Sequence, residues 1–465
     1  MRYAGIDWSE NNQDYAVVDQ DGVRVKLGKF KETPDGLRDF DAEMRKHADP
    51  DTGALPTVAI ETDKGLTVTT LKQLGYAVYA INPMKVARYR ERYSTGRNKN
   101  DRADATLIAN VVRTDPDVHL PMPSISDAAL ALNVMCRGHQ DAVQDTLRAL
   151  AVLRSHLRLY WPAFAAEFTP SRLMRSPEWL TVLDWAPTPT AARAMTAKRL
   201  ALLLRQAGRS RYIDRDVAKY MPFFKTDVLH HPADVEAAYG EVTRSLVGTA
   251  RTLLVKRDTL EVQLVAAVRE HPMYPIFESC PSLGDVTAAR LLGEIGDDLT
   301  RFASPRGLKA YAGTAPTHRQ SGKSEIVVRR QVKNNRLNTS MFMWALVAIR
   351  RGGGARVMYD RRRSAGDYHA AALRNLGNRL LGCLWHCMRN GELWDEQTVW
   401  AHYQLTAIQA EVDTTIPEGG DENDTSAEAA ALVAPDTIPD ESLDAATGTD
   451  GPTDVTPRTA DHGRR

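Results

Sequence analysis

The sequence predicts an α/β domain at the N-terminus and an all-α remainder. Three observations predict it. Short apolar runs alternate with helical patterns over the first 115 residues, apolar residues recur at three- and four-residue steps in two long central stretches, and the segment between those stretches is helical and punctuated by proline.

Residues 3 to 28 read as two or three short strands, "YAGIDWS", "DYAVVDQ" and "VRVKLGKF", with "DQDG" at 19 to 22 supplying an Asp-Gly hairpin turn. A helix pattern follows at about 35 to 47. "TVAIET" reads as a buried strand, Leu66 to Leu74 as a helix, "AVYAIN" as a strand and Asp101 to Arg113 as a helix. The α/β domain therefore spans 1–115.

"RTDPDVHLPMPS" is a linker. After it, Val143, Leu147, Leu150, Leu153 and Leu157 make one apolar stripe on a long helix from Ala128 to Tyr160. A second long helix runs from about Val235 to Glu270. The two suit a coiled coil or a plain bundle core, so 116–277 is read as a helical, coiled-coil region. Residues 278–395 form a third, mostly helical unit.

Charge divides the chain more sharply than its overall +1 suggests. Residues 411 to 465 hold 14 Asp/Glu against 3 Arg, with almost no aromatics, and are expected to be a disordered acidic tail. Residues 281 to 390 hold 19 Lys/Arg against 7 Asp/Glu, a block that suits a polyanion, most simply nucleic acid. Cys136, Cys280, Cys383 and Cys387 are too scattered for a disulfide framework and fit a reducing cytoplasm. "CLWHC" lacks a second ligand pair, and its Leu384 and Trp385 fit helix core better than a zinc site. No run of eighteen apolar residues occurs, and Asp7 interrupts any apolar leader, so a soluble, unexported protein with no membrane partner is expected.

Four carboxylates stand out in the first domain. Asp7 ends an apolar strand and must be solvated, paired or bound to a metal. Glu61 repeats the pattern after "TVAI". Asp101 and Asp104 are three apart and project from one helix face, although each alone also suits an acidic helix start. Together, two strand ends and one helix face can hold two divalent ions about 3.5–4 Å apart, the arrangement that serves phosphodiester chemistry. Mg²⁺, or Mn²⁺ in its place, suits an all-oxygen set.

In the basic unit, "SCPSLGDVTAARLLGEIGD" at 279 to 297 reads as a helix–hairpin–helix-like element, whose helix start can hold a phosphate, or as a plain helical turn. The "GKS" at 322 to 324 fails as a phosphate-binding P-loop, because the first glycine of that pattern falls on Thr317, so no ATP or other nucleotide hydrolysis is expected. Ser321, in a loop between Arg319 and Lys323 and beside Gly322, has the cations and close backbone approach that a serine nucleophile needs on phosphate but no visible means of losing its proton, so on its residues alone it reads equally as an ordinary loop serine. Arg329, Arg330, Lys333 and Arg336 form one basic run and Arg361, Arg362 and Arg363 another, read as phosphate contacts or as solvated faces.

The order "GIDWS", "AIETDKG", "NKNDRADA" resembles the DEDD set of the RuvC-like, ribonuclease-H-type domain in transposases of the insertion-sequence-110 family. Lys99 falls where that family tends to carry a lysine. "YAGTAPTHRQSGKS", with "NNRLNTSMFMWAL" and "YHAAALRNLGNRLLGCLWH", is similar to the family's C-terminal transposase-20 domain. The resemblance covers roughly residues 3 to 395. It implies a DNA recombinase in which Ser321, with Ser324 as neighbouring competitor, is the nucleophile and Asp7, Glu61, Asp101 and Asp104 bind metal. It also implies donor and target DNA, a structured guide RNA from the element, an assembly of two to four subunits, and work in the bacterial cytoplasm at the nucleoid. Two other readings account for the same residues: a metal-dependent junction resolvase or nuclease in which Ser321 is incidental, and a non-enzymatic DNA-binding regulator.

Overall fold

The computed structural model describes residues 1–9, 12–93, 101–322 and 324–401. Lys99, Lys323 and the acidic tail lie outside the described residues, and of Asp101, Ser321 and Ser324 only the backbone is described. The N-terminal part is mixed α/β and the rest is mostly helical, as the sequence predicts.

Strands β1 (Tyr3–Asp7), β2 (Asn12–Val18), β3 (Arg24–Lys31), β4 (Thr57–Ile60) and β5 (Val78–Ala80) form one sheet in the order β3-β2-β1-β4-β5. The hairpin between β2 and β3 turns on Gly22 at φ +84°, with its N–H donating to Asp19 at 3.1 Å. β1 to β3 are antiparallel, while β4 and β5 run parallel to β1, with helices as the crossovers.

Helix α1 (Pro34–Lys46) starts where the Thr33 hydroxyl accepts from the Gly36 N–H, and buries Leu37, Phe40 and Met44 along one stripe. With α2 (Leu66–Gln73) it covers the sheet face that presents Ala4, Ile6, Val17, Val58 and Ile60. Helices α3 (Pro83–Tyr93) and α4 (Asp101–Thr114) cover the other face around Ala59, Ile81, Leu107, Ile108 and Val111. Both faces being covered explains why β1 and β4 are apolar along their lengths.

Contacts divide the chain into two units, Met1–Val143 with the chain from Thr252, and Gln144–Arg251. Helix α5 (Asp127–Leu157) is the first long helix expected from the sequence. In the second unit, α6 (Pro162–Glu167), α7 (Pro170–Arg175), α8 (Glu178–Trp185), α9 (Pro189–Arg193), α10 (Ala197–Gln206) and α11 (Ile213–Lys225) are short, and three open on proline, whose fixed φ suits a first helical position. Phe164, Phe168, Trp179 and Tyr220 pack as its aromatic core.

Helix α12 (Ala233–Arg269) is the second long helix. Beyond it lie α13 (Tyr274–Ser279), α14 (Asp285–Ile295) and α15 (Pro305–Tyr311), a two-stranded hairpin of β6 (Thr317–Ser321) and β7 (Ser324–Val328), then α16 (Asn335–Arg351), α17 (Gly353–Ser364), α18 (His369–Asn390) and α19 (Glu396–Trp400). "CLWHC" lies within α18 with Leu384 fully buried, and all four cysteines are free thiols. Among the described residues, no helix is long and apolar enough to cross a membrane.

Candidate active site

Register builds the acidic site. Ile6 of β1 pairs with Ile60 of β4 in parallel, so Asp7 and Glu61, one residue further on each strand, leave the sheet side by side at its C-terminal edge. On the other side of β1, Asp7 is the antiparallel partner of Asp14, and Asp14 is the partner of Lys29. One row across three neighbouring strands thus reads Lys29, Asp14, Asp7, with Glu61 at the level of Asp7.

Alternation of side chains puts Asp7 on the same face as Gly5, and Gly5 touches α4. A Cβ at Gly5 would lie 2.1 Å from the Ala105 carbonyl oxygen and 2.4 Å from the Ala109 nitrogen, so only glycine lets the helix lie directly on β1. The far end of α4 reaches the β2–β3 turn, where the Arg113 guanidinium donates to the Gln20 carbonyl at 3.2 Å. That turn lies at the N-terminal end of β1, so α4 runs antiparallel to β1. Its first residues, Asp101 and Asp104, therefore sit at the sheet edge where Asp7 and Glu61 emerge.

Asp104 is 3 % exposed and is gripped by Arg90 of α3, with Nε 2.9 Å from Oδ1 and a terminal nitrogen 2.8 Å from Oδ2. This bidentate pair neutralises a carboxylate that would otherwise be a buried, uncompensated charge. Asp14 is 6 % exposed, its Oδ2 2.9 Å from the Lys29 ammonium and its Oδ1 buried without a hydrogen-bond partner. The sequence reading passed over both Asp14 and Arg90. Among the described residues no three ligating side chains already stand together as a metal cluster. An all-oxygen donor set and an orphaned carboxylate oxygen beside Asp7 nevertheless fit a hard divalent cation.

Ser321 is not in an irregular loop, as the sequence suggested. It is the last residue of β6, and its backbone register partner is Ser324, the first of β7, at the turn of the hairpin. Gly322 in that turn has φ +58°, the conformation such tight hairpin turns demand. The turn also puts "GKS" between two strands rather than at a strand–helix junction.

The base of the hairpin is closed by residues outside it. The Asn334 N–H donates to the Tyr311 carbonyl at 2.7 Å, and the Asn334 amide donates to the Tyr311 hydroxyl at 2.7 Å and to Glu294 Oε2 at 2.6 Å. Glu294 also takes a bidentate bond from Arg137, at 2.8 and 2.9 Å. Burial alone would raise the Glu294 carboxyl, but Arg137 and Asn334 outweigh it and hold it below the usual carboxylate range.

The basic residues divide into two groups. Arg329 and Arg361 are exposed. Arg336 is engaged, donating to Gln140 Oε1 at 3.0 Å and to the Asp141 carboxylate at 2.7 Å. Arg362 and Arg363 both bond Asp367, and Lys333 packs its stem on Gly313. Burial, then Arg329 and Arg374, push the Lys333 ammonium below its ordinary range. At the helix–hairpin–helix-like element, the first helical residue of α14, Asp285, already carries a carboxylate that accepts from the Tyr274 hydroxyl at 2.7 Å.

A family model for DEDD transposases of the IS110 type matches residues 4–162, and one described as "Transposase IS116/IS110/IS902 family" matches residues 274–360. The chain is 38 % identical over 400 residues to a Streptomyces coelicolor protein described as "Mini-circle putative transposase for IS117", covering 86 % of this chain and 96 % of the relative. It is 28 % identical over 336 residues to the "Insertion element IS110 uncharacterized 43.6 kDa protein" of the same organism, covering 71 % and 80 %. It is 26 % identical over 403 residues to the "Insertion element IS900 uncharacterized 42 kDa protein" of Mycobacterium paratuberculosis, covering 86 % and 98 %.

Proposed function

The chain belongs to the IS116/IS110/IS902 family of insertion-element transposases, and on that premise we propose that it cuts and rejoins DNA strands through Ser321, assisted by a divalent ion at Asp7, Glu61, Asp101 and Asp104. The observation that carries this reading is the convergence of two strand ends and one helix start at one edge of the sheet.

Ser321 Oγ attacks a DNA phosphorus, gives up its proton and forms a serine–phosphate bond, while the strand oxygen on the far side departs and takes a proton. A hydroxyl of a second strand then reverses the step and frees the serine. The covalent link conserves the energy of the phosphodiester, so rejoining needs no ATP. Asp7, Glu61, Asp101 and Asp104 would hold Mg²⁺ or Mn²⁺, which would supply charge stabilisation during the transfer. Arg90 holds Asp104 in place. Gly322 keeps the backbone beside the nucleophile free of any side chain, and Arg319, on the same strand, adds positive charge.

Target choice belongs to base pairing with a structured RNA of the element, the chain reading nucleic acid mainly through phosphates. The working assembly has two to four copies. The basic block supports the nucleic-acid partner, and the guide RNA and the assembly rest on family resemblance.

The test is to incubate purified protein, with its co-purifying RNA, with element-end DNA and Mg²⁺, then resolve products under denaturing conditions. A DNA–protein adduct that maps to Ser321, persists in Ser324→Ala and vanishes in Ser321→Ala is expected. Strand cleavage that survives Ser321→Ala without an adduct would replace this reading by the metal-dependent resolvase. Asp7→Ala protein that binds DNA and still supports the element's whole biological effect would replace it by the regulator.

A further inference from the structure

A cavity of about 600 Å³ opens between α15, α17 and α18. Four cations line it, Lys309, Arg361, Arg362 and Arg379, and no carboxylate does. We propose that this cavity receives a phosphodiester of a bound nucleic-acid strand together with part of the nucleotide that carries it. The proposal rests on the reading of the chain as a DNA-processing enzyme, and adds to it a defined seat for one nucleotide.

Lys309 is the informative residue. It is half-buried, and among the described residues no carboxylate lines the cavity beside it. Burial holds its ammonium below the ordinary lysine range, while Arg379 beside it pushes the same way. A charge desolvated next to a like charge destabilises the empty protein, and an incoming anion relieves both penalties at once. Gly382 of α18 leaves the Lys309 ammonium close to the helix backbone, where a Cβ would lie 2.7 Å from Nζ.

Size and the remaining lining argue for more than a bare anion. A volume of about 600 Å³ lies in the range of small-molecule sites. Asn375 and Asn378 bring side-chain amides from the same face of α18, suited to sugar and base edges, and Met358 and Pro305 add apolar wall. The Asn375 amide is oriented by Asp367, to which it donates at 2.8 Å, and Asp367 also accepts from Arg362 Nε at 2.6 Å. Cys383 at the wall is no rival explanation. Burial pushes its thiol up, against the pull of Arg379 and Lys309, so it is neither a thiolate nucleophile nor a ready metal ligand.

The test compares full-length wild type, Lys309→Gln and Arg361→Gln for binding to a labelled single-stranded DNA, the same sequence as duplex, and the same sequence as RNA, over a range of salt. Lys309→Gln is expected to lose about tenfold in affinity for at least one of the three, while its melting temperature stays level or rises. The slope of log affinity against log salt should fall by about 0.7 for a single strand or about 0.9 for duplex DNA, and the probe that shows the change identifies the strand. Wild-type affinity and slope retained by Lys309→Gln on all three would overturn the pocket and leave the transposase reading standing. Failure of wild type to bind any of the three would overturn both. Should Lys309→Gln melt well below wild type, Arg361→Gln, exchanged at an exposed position, decides by the same loss of affinity and slope.

Discussion

Arg90 holds both carboxylate oxygens of Asp104, at 2.9 and 2.8 Å, and Asp104 is almost completely buried. Arg90 is thus the counter-ion of a buried carboxylate that the proposed metal site would share. Arg90→Met is expected to destabilise the metal-free protein by about 3–5 kcal/mol, since it strands a buried charge. Millimolar Mn²⁺ should then raise its melting temperature by more than it raises that of wild type, which thermal denaturation with and without the ion measures.

Asp14 sits opposite Asp7 with its Oδ1 unpartnered and its Oδ2 on Lys29. A buried carboxylate so placed adds negative charge that favours a cation at the proposed site even if it never touches the ion. Asp14→Asn should therefore weaken Mn²⁺ binding by roughly tenfold. Titration calorimetry with Mn²⁺ reads this directly, and an unchanged dissociation constant would remove Asp14 from the site.

The four acids of the proposed site stand out in the sequence where local pattern decides. Asp7 and Glu61 show as charges that end apolar runs, and Asp104 shows by helical spacing from Asp101. Asp14 did not show, because "QDYAVV" puts it at a strand start that reads as solvent-facing, and only the antiparallel register reveals it as Asp7's partner. Arg90 did not show, because a partner fourteen residues away on another helix leaves no periodic trace. The Ser321 hairpin was hidden for a different reason: "THRQS" is polar on both faces, so no alternation marks it as a strand.

Gly5 sets the distance between β1 and α4, hence the height of Asp101 and Asp104 above the sheet edge. Its neighbours are backbone atoms of Ala105 and Ala109, which cannot swing aside. Gly5→Ala should therefore cost about 1–3 kcal/mol by overpacking, and Gly5→Val more. Urea denaturation gives the cost, and Mn²⁺ affinity should fall with it, since displacing the helix displaces two of the four acids together.

Glu294 ties the base of the Ser321 hairpin to α5, through Asn334 and Tyr311 on one side and Arg137 on the other. Its folded carboxyl is held below the unfolded value, so the stability it contributes is present above about pH 4.3 and is lost as pH falls through the folded value. Glu294→Gln removes the charge at every pH and leaves Arg137 without its partner, at a cost of about 3–5 kcal/mol near neutrality. The gap between variant and wild type in urea midpoints should stay constant from pH 7 to about pH 5 and narrow below about pH 4.3. A gap that does not narrow would mean that the pair is not what holds the hairpin base. Adduct formation at Ser321 should drop in the variant at neutral pH even under conditions where it remains folded, because the strands that carry the serine lose their anchor.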